Sequence, residues 1–245
     1  MITMQYADFA WEKTAALLAI DSPSGFTDKA AAWLKEQFTA MGYHTPLTEK
    51  GGVLVHLGAE GANGLMLAAH ADTLGAMVAE VKGNGRLRLT SLGGMNANNA
   101  ETENVRVYTR DGKIIEGTFQ LSNASIHVNG DYNSTSRNYD TCEVVLDEDV
   151  KSAADTRKLG IEVGDIVCFD PRTKRTASGY LKSRFLDDKL SVGILFGFAK
   201  YLKDENIQLP RPVYAHITVY EEVGHGGSGS VPAGVTEAIS VDMGC

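Results

Sequence analysis

Four places in this chain put imidazole or carboxylate groups at the ends of apolar runs. They are Ala69-His70-Ala71-Asp72, Leu186-Asp187-Asp188-Lys189, Tyr220-Glu221-Glu222-Val223-Gly224 and Val241-Asp242-Met243-Gly244. One imidazole and several carboxylates, with no thiolate obliged to join them, suit divalent zinc, cobalt or manganese. Two such ions about 3.5–4 Å apart can clamp a water and a scissile carbonyl. One Asp must then be shared between the ions, and a further carboxylate must stay off them as general base. Glu221 and Glu222 supply such a pair, because successive side chains leave a strand in different directions. Asp72 is placed to orient the His70 ring. Singly, each group has a plainer reading: Asp187 as a helix cap, Glu221-Glu222 as a solvated strand end. Their joint occurrence, each at an element end, favours the site.

Elements must carry these groups. Residues 8–43 read as two helices around the turn Asp21-Ser22-Pro23-Ser24-Gly25. The second has Thr27 as N-cap, Leu34, Phe38 and Met41 on one face, and Gly42 as its stop. Val53-Leu54-Val55 and Leu65-Met66-Leu67-Ala68-Ala69 fit strands, the second buried on both faces. From about residue 76 the character changes, with hairpin signals at Gly83-Asn84-Gly85 and Asp111-Gly112. Residues 152–159 form a short helix with a Ser-x-x-Asp capping pattern, stopped by Gly160, and 165–169 a further strand. Residues 190–202, apolar nearly all round, predict a well-buried helix; 213–220 and 238–241 predict strands. The expectation is an α/β catalytic domain in two parts, 1–75 and 179–245, interrupted by a β-rich insertion over 76–178. Ligands of open α/β sheets bind beyond the carboxyl ends of the strands, so the four places can meet there.

The ordered set resembles the M42 family of metallo-aminopeptidases, which includes glutamyl aminopeptidases and tetrahedral self-assembling peptidases. The matching stretches are Ala69-His70-Ala71-Asp72, Phe185-Leu186-Asp187-Asp188-Lys189, Thr218-Val219-Tyr220-Glu221-Glu222-Val223-Gly224 and Val241-Asp242-Met243-Gly244. Leu92-Gly93-Gly94 and Gly160-Ile161-Glu162-Val163-Gly164-Asp165 match less specifically. In the related carboxypeptidase and M28-type families the bridging Asp follows His-x-Asp after a short interval. Here 117 positions separate His70 from Asp187, room for an inserted domain. The resemblance implies a zinc-peptidase-like domain with a mixed central sheet and a barrel-like insertion that takes part in assembly. It implies two divalent ions, zinc or cobalt, bridged by Asp187. His70 and Asp242 would complete one site, Glu222 would belong to the other, and Glu221 would be the general base. The implied activity is removal of N-terminal residues from peptides, within a homo-oligomer formed through 76–178. Family members carry a final histidine ligand downstream of the Asp242 position. This chain ends at Cys245, so the resemblance implies a missing C-terminal segment and a metal site short of one ligand. His225 reads as a loop residue rather than its substitute, and His44, His56, His127 and His216 as core or surface residues.

Composition sets the outer bounds. The chain has 245 residues, 43% of them apolar, which suffices for a sizeable core. A net charge of −8 argues against nucleic acid or an anionic membrane as the main partner. The N-terminal residues do not form a signal peptide, and no run of about eighteen apolar residues occurs. Cys142, Cys168 and Cys245 are too few and too scattered for a disulfide framework, so a reducing cytoplasm is expected. Two other functions compete with the aminopeptidase: a non-catalytic assembly protein of the same fold, and a metallohydrolase acting on another substrate.

Overall fold

Helices α1 (Met4–Leu18) and α2 (Asp28–Ala40) come first in the computed structural model, followed by strands β1 (Val53–Gly58) and β2 (Gly64–His70). Next are β3 (Gly75–Val81), β4 (Leu87–Leu92), helix α3 (Ala97–Ala100), β5 (Glu103–Tyr108) and β6 (Ile114–Leu121). Then β7 (Cys142–Leu146), α4 (Ala153–Lys158) and β8 (Ile166–Phe169) complete this stretch. The short ribbon β9 (Lys174–Arg175) and β10 (Leu181–Lys182) leads into α5 (Leu186–Asp204), β11 (Val213–Thr218) and β12 (Val235–Ser240). The structure describes residues 4–227 and 229–244; Cys245 and the start Met1-Ile2-Thr3 of the signal-peptide reading lie outside them, as does Ser228 of the glycine-rich loop around His225. The chain divides into two units, one running to Thr73 and resuming at Pro171, the other Leu74–Asp170. Residues 171–178 thus fall with the first unit. No helix among the described residues is long and apolar enough to cross a membrane.

The first unit is built on a four-stranded mixed sheet in the order β1-β11-β2-β12, with β1 antiparallel to β11 and the other pairings parallel. One sheet face presents Val53, Val55, Ala69, Ala215 and Ile217 to Leu17, Leu34, Phe38, Leu195 and Phe196 from the helices. Phe38 and Phe196, both fully buried, stack with ring centroids 3.8 Å apart. Each such side chain contributes about 1.5–3 kcal/mol by leaving water. Strand β2 is central, with Met66 and Ala69 buried and Leu65, Leu67 and Ala68 half-buried. Helix α2 buries Ala30, Ala31, Leu34 and Phe38 on one stripe and ends before Gly42, which takes the left-handed conformation at φ +81. Thr27 stands at its N-cap but its hydroxyl makes no capping bond. Helix α5 departs from the expectation that it is enclosed all round, since Ile194 is 49% exposed. Its buried residues face the sheet and helices α1 and α2. Its contact with α1 is close: a Cβ on Gly193 would lie 1.8 Å from the Thr14 hydroxyl.

In the second unit six strands close into a barrel in the order β3-β4-β7-β6-β5-β8, every pairing antiparallel. Alternate residues turn inward, so Val105, Val107, Phe119, Leu121, Val167 and Phe169 are buried. Closure is thinnest between β4 and β7, which meet at the single pair Leu87–Val144. The β3–β4 and β5–β6 hairpins turn at Gly85 and Gly112, at φ +85 and +84. The Ser152 hydroxyl accepts from the Asp155 backbone N–H and donates to its carboxylate, as the capping pattern predicts.

Glu143 on β7 is one of the buried acids of this unit, at 1% exposure. Burial pushes its carboxyl up, but hydrogen bonds from Lys82 and Arg86 outweigh that and hold it below its ordinary value of 4.5. Its contribution to stability is therefore complete above that value and is lost as pH falls below it toward the lowered folded one. Glu143→Gln is expected to cost about 1–3 kcal/mol near neutral pH, since both basic partners are partly solvated. The cost should shrink on acidification; amide exchange of β7 as a function of pH reads it, and a cost independent of pH would contradict the assignment.

Candidate metal centre

The parallel pairing of the sheet decides where its reactive groups go. His70 ends β2 opposite Thr218, the last residue of β11, and Ser240, the last of β12, pairs with Ala68. Three strands thus finish on one side of the sheet, and the residues that follow them are Ala71-Asp72, Tyr220-Glu221-Glu222 and Val241-Asp242. Asp187 and Asp188 arrive from the start of α5, where neither has helical backbone angles and the peptide bond between them is cis. The preceding Phe185 is left-handed at φ 64. Beside these residues the sheet face opens into a depression of about 550 Å³, lined by His70, Thr218, Glu221 and Asp242 with Met66 and Ala68 as its floor.

His70 is the buried centre of the cluster, at 1% exposure. Its Nε2 lies 3.1 Å from Asp187 Oδ1 and 3.6 Å from Glu221 Oε2. Its Nδ1 lies 3.0 Å from the Asp72 backbone oxygen and 3.4 Å from Asp72 Oδ1. The His70 backbone N–H donates to Asp188 Oδ2 at 3.0 Å. Asp72, fully buried, also accepts from the Ser24 hydroxyl at 2.6 Å and from the backbone N–H groups of Glu221 and Glu222 at 3.2 and 3.3 Å. One carboxylate therefore holds both the histidine ring and the turn that carries the two glutamates.

The electrostatics of the cluster are unbalanced. Burial alone would hold the His70 imidazole down, but the hydrogen bond and charge of Asp72, with the charge of Asp188, push it up to about 10. Burial pushes the Asp72 carboxyl up, yet the hydrogen bonds from His70 and Ser24 bring it below the ordinary carboxylate range. Glu222 is pushed up to about 7 by burial and by the charges of Asp187, Asp72 and Glu221, against the opposing charge of His70. Asp188 is pushed up to about 6 by burial and the charge of Asp242, against hydrogen bonds from Ser191 and the His70 N–H. One imidazolium does not neutralise so many crowded carboxylates, whereas divalent cations would.

The donor atoms are close enough for that. Ligand atoms of His70, Asp187 and Glu222 lie within 4.8 Å of one another, and so do those of His70, Asp188 and Asp242. The structure thus brings together His70, Asp72, Asp187, Glu221, Glu222 and Asp242. It adds Asp188, which belongs to the Leu186-Asp187-Asp188-Lys189 stretch but has no role when one acid per element end is sought. Ser24 and Lys189 were also not legible. Ser24 comes from the α1–α2 turn. Lys189, 1% exposed, donates from Nζ to the Leu17 and Ile20 carbonyls at 3.0 and 2.7 Å and ties the start of α5 to the end of α1. Asp187 and Asp188 lie at a kink where the backbone is not helical, so the regular part of α5 begins only after them. Glu221 and Glu222 sit on a 3₁₀ turn, Glu221–Val223, rather than on a strand. Their separation comes from that turn, because the β11 ladder stops at Thr218. His225 belongs to neither three-residue group.

Comparison with known proteins identifies relatives of this chain. Residues 51–245 match the M42 glutamyl aminopeptidase family. YhfE of Bacillus subtilis, a presumed aminopeptidase, is 40% identical over 229 residues, covering 93% of this chain and 66% of YhfE. The glutamyl aminopeptidase of Lactococcus lactis is 27% identical over 221 residues, covering 89% of this chain and 61% of that protein. An aminopeptidase of the archaeon Desulfurococcus kamchatkensis shares the fold with a TM-score of 0.84 at 23% identity, covering 98% of this chain and 64% of its own. The Pyrococcus horikoshii TET1 peptidase, which assembles into a tetrahedron or a large octahedral shell, gives a TM-score of 0.75 at 23% identity, covering 95% and 68%. The chain spans just under two thirds of the length of the two sequence relatives.

The central role of Asp72 is open to direct measurement. In Asp72→Asn the metal-free His70 imidazole is expected to titrate about one unit or more lower, since a buried negative charge is removed from its Nδ1 side. Histidine NMR resonances followed against pH report this; an unchanged His70 titration would mean that Asp72 does not set the charge of the ring.

Proposed function

The chain belongs to the M42 family of glutamyl aminopeptidases, and from that premise we propose that it removes N-terminal residues from peptides at a two-metal centre. The observation that carries this reading is the convergence of His70, Asp187, Glu221, Glu222 and Asp242 at one end of the sheet. His70, Asp187, Glu222 and Asp242 would hold two divalent ions, zinc or cobalt, with Asp187 shared between them and Asp188 within reach as a further carboxylate. When bound, such ions polarise a carbonyl and make water acidic enough to attack at neutral pH.

The chain's own groups supply the rest. Glu221, half-exposed and bordering the depression, is the general base: its carboxylate accepts a proton from the attacking water and returns it to the departing amine. Asp72 fixes where that base sits, because its oxygens hold the backbone N–H of Glu221 and of Glu222. The same carboxylate keeps the His70 proton on Nδ1, so that Nε2 stays directed at Asp187. The barrel, residues 76–178 in the sequence reading, is proposed as the assembly domain of a homo-oligomer in a reducing cytoplasm.

Two measurements test the proposal. Elemental analysis after zinc or cobalt reconstitution is expected to find close to two ions per chain. Glu221→Gln is expected to lower kcat on short peptides by about 10²–10⁴-fold with metal content unchanged. Equal turnover in the variant would remove Glu221 as base, and a metal-loaded wild-type chain inert on every peptide tried would sink peptide hydrolysis itself.

A further inference from the structure

Between Asp170 and Asp187 the chain carries Arg172, Lys174, Arg175, Lys182 and Arg184 and no acidic residue, in a molecule whose net charge is −8. These cations lie on the β9–β10 ribbon and at its base. Within the ribbon Lys174 stands directly opposite Lys182, and Arg175 opposite Leu181. Opposed residues share a face of an antiparallel pair, and like charges so placed are unfavourable. Both lysines are exposed, and neither ammonium makes an ion pair or hydrogen bond among the described residues. The other face is tied down, because the Arg175 guanidinium donates to Asp8 Oδ1 of α1 at 2.8 Å. Successive side chains alternate between faces, so the two lysines form the outward one. Beside the turn of the ribbon Tyr180 is 74% exposed. A ribbon this short has little stability of its own, yet it is held out with two repelling charges side by side.

The chain itself holds a surface of the opposite sign. Asp147-Glu148-Asp149, in the turn after β7, is its one uninterrupted run of three acids, and all three are exposed. Asp149 meets Lys151 at 3.2 Å, while the carboxylates of Asp147 and Glu148 have no ion pair among the described residues. The Asp147 N–H donates to the Glu116 carbonyl at 3.0 Å, which sets a further exposed acid beside the turn. Two adjacent ammonium groups and two adjacent carboxylates complement each other, and such matching fixes orientation and partner choice. An exposed tyrosine beside the cations adds the kind of side chain that protein interfaces favour. Each copy carries both surfaces, so a contact between them is head-to-tail and can be repeated from copy to copy.

We infer that the lysine face of the β9–β10 ribbon docks on the Asp147-Glu148-Asp149 turn of a second copy of this chain. The inference deepens the homo-oligomer proposed above and rests on it. Sedimentation of the full 245-residue chain over a range of concentrations is expected to show self-association. In the double variant Lys174→Glu/Lys182→Glu the dissociation constant should rise about tenfold or more, since two attractive pairs become repulsive. Asp147→Lys/Glu148→Lys should weaken association to a similar degree. All four substitutions in one chain should restore it, because the signs match again. The neutral pair Lys174→Gln/Lys182→Gln is read in the same way, with a smaller loss, should the charge reversals not fold. Association unchanged in the lysine variants overturns this contact while leaving the homo-oligomer standing. Weakening that the four-substitution chain does not reverse also overturns it, since the partner surface is then not the acidic turn. A wild-type chain that stays monomeric removes the contact and the assembly reading together. Oligoglutamate binding to that monomer, lost in Lys174→Glu/Lys182→Glu, would then assign the ribbon to acidic peptides instead.

Discussion

A single buried carboxylate organises the reactive end of this molecule. Asp72 receives the Ser24 hydroxyl, two backbone N–H groups of the glutamate turn and the His70 ring, and it is fully buried. A buried charge is tolerated only when hydrogen bonds and an opposite charge surround it, so each of these partners must keep its place. The α1–α2 turn, the end of β2 and the exit of β11 are thereby joined at one atom group. Loosening any of them leaves Asp72 underbonded, which is why it controls both geometry and charge.

Around that anchor the sheet solves a delivery problem. Parallel strands end on the same side, so β2, β11 and β12 bring their following residues to one crevice without a loop having to reach across. The fourth contribution comes from α5, whose start is tethered by the buried Lys189 ammonium to carbonyls at the end of α1. The crowding of acids that results is unfavourable in itself, as the raised carboxyls of Glu222 and Asp188 record. The proposed cations would relieve this crowding. The barrel carries none of these groups; the buried Glu143 there is paired with Lys82 and Arg86.

Much of this was legible in the residues. Periodicity and turn chemistry located α2, α4, the two hairpin turns and strands β1, β2, β8, β11 and β12, because those signals are local: an apolar stripe, a Ser-x-x-Asp cap, a glycine at a left-handed turn. Two local readings failed for a physical reason. The apolar composition of α5 indicated burial on all sides, yet exposure depends on which neighbours exist, and Ile194 is left half-exposed. Glu221 and Glu222 looked like the end of a strand, but β11 ends at Thr218 and the chain turns there.

By itself the sequence determined which groups could do chemistry, their order at element ends, and the interruption of an α/β domain by a β-rich stretch. All of that follows from residue type and spacing along the chain. Tertiary structure alone decided that Asp188 joins the cluster, and that Ser24 and Lys189 support it from elements far away in sequence. Those relations depend on through-space distances set by strand register and helix packing, to which no local pattern of residues corresponds.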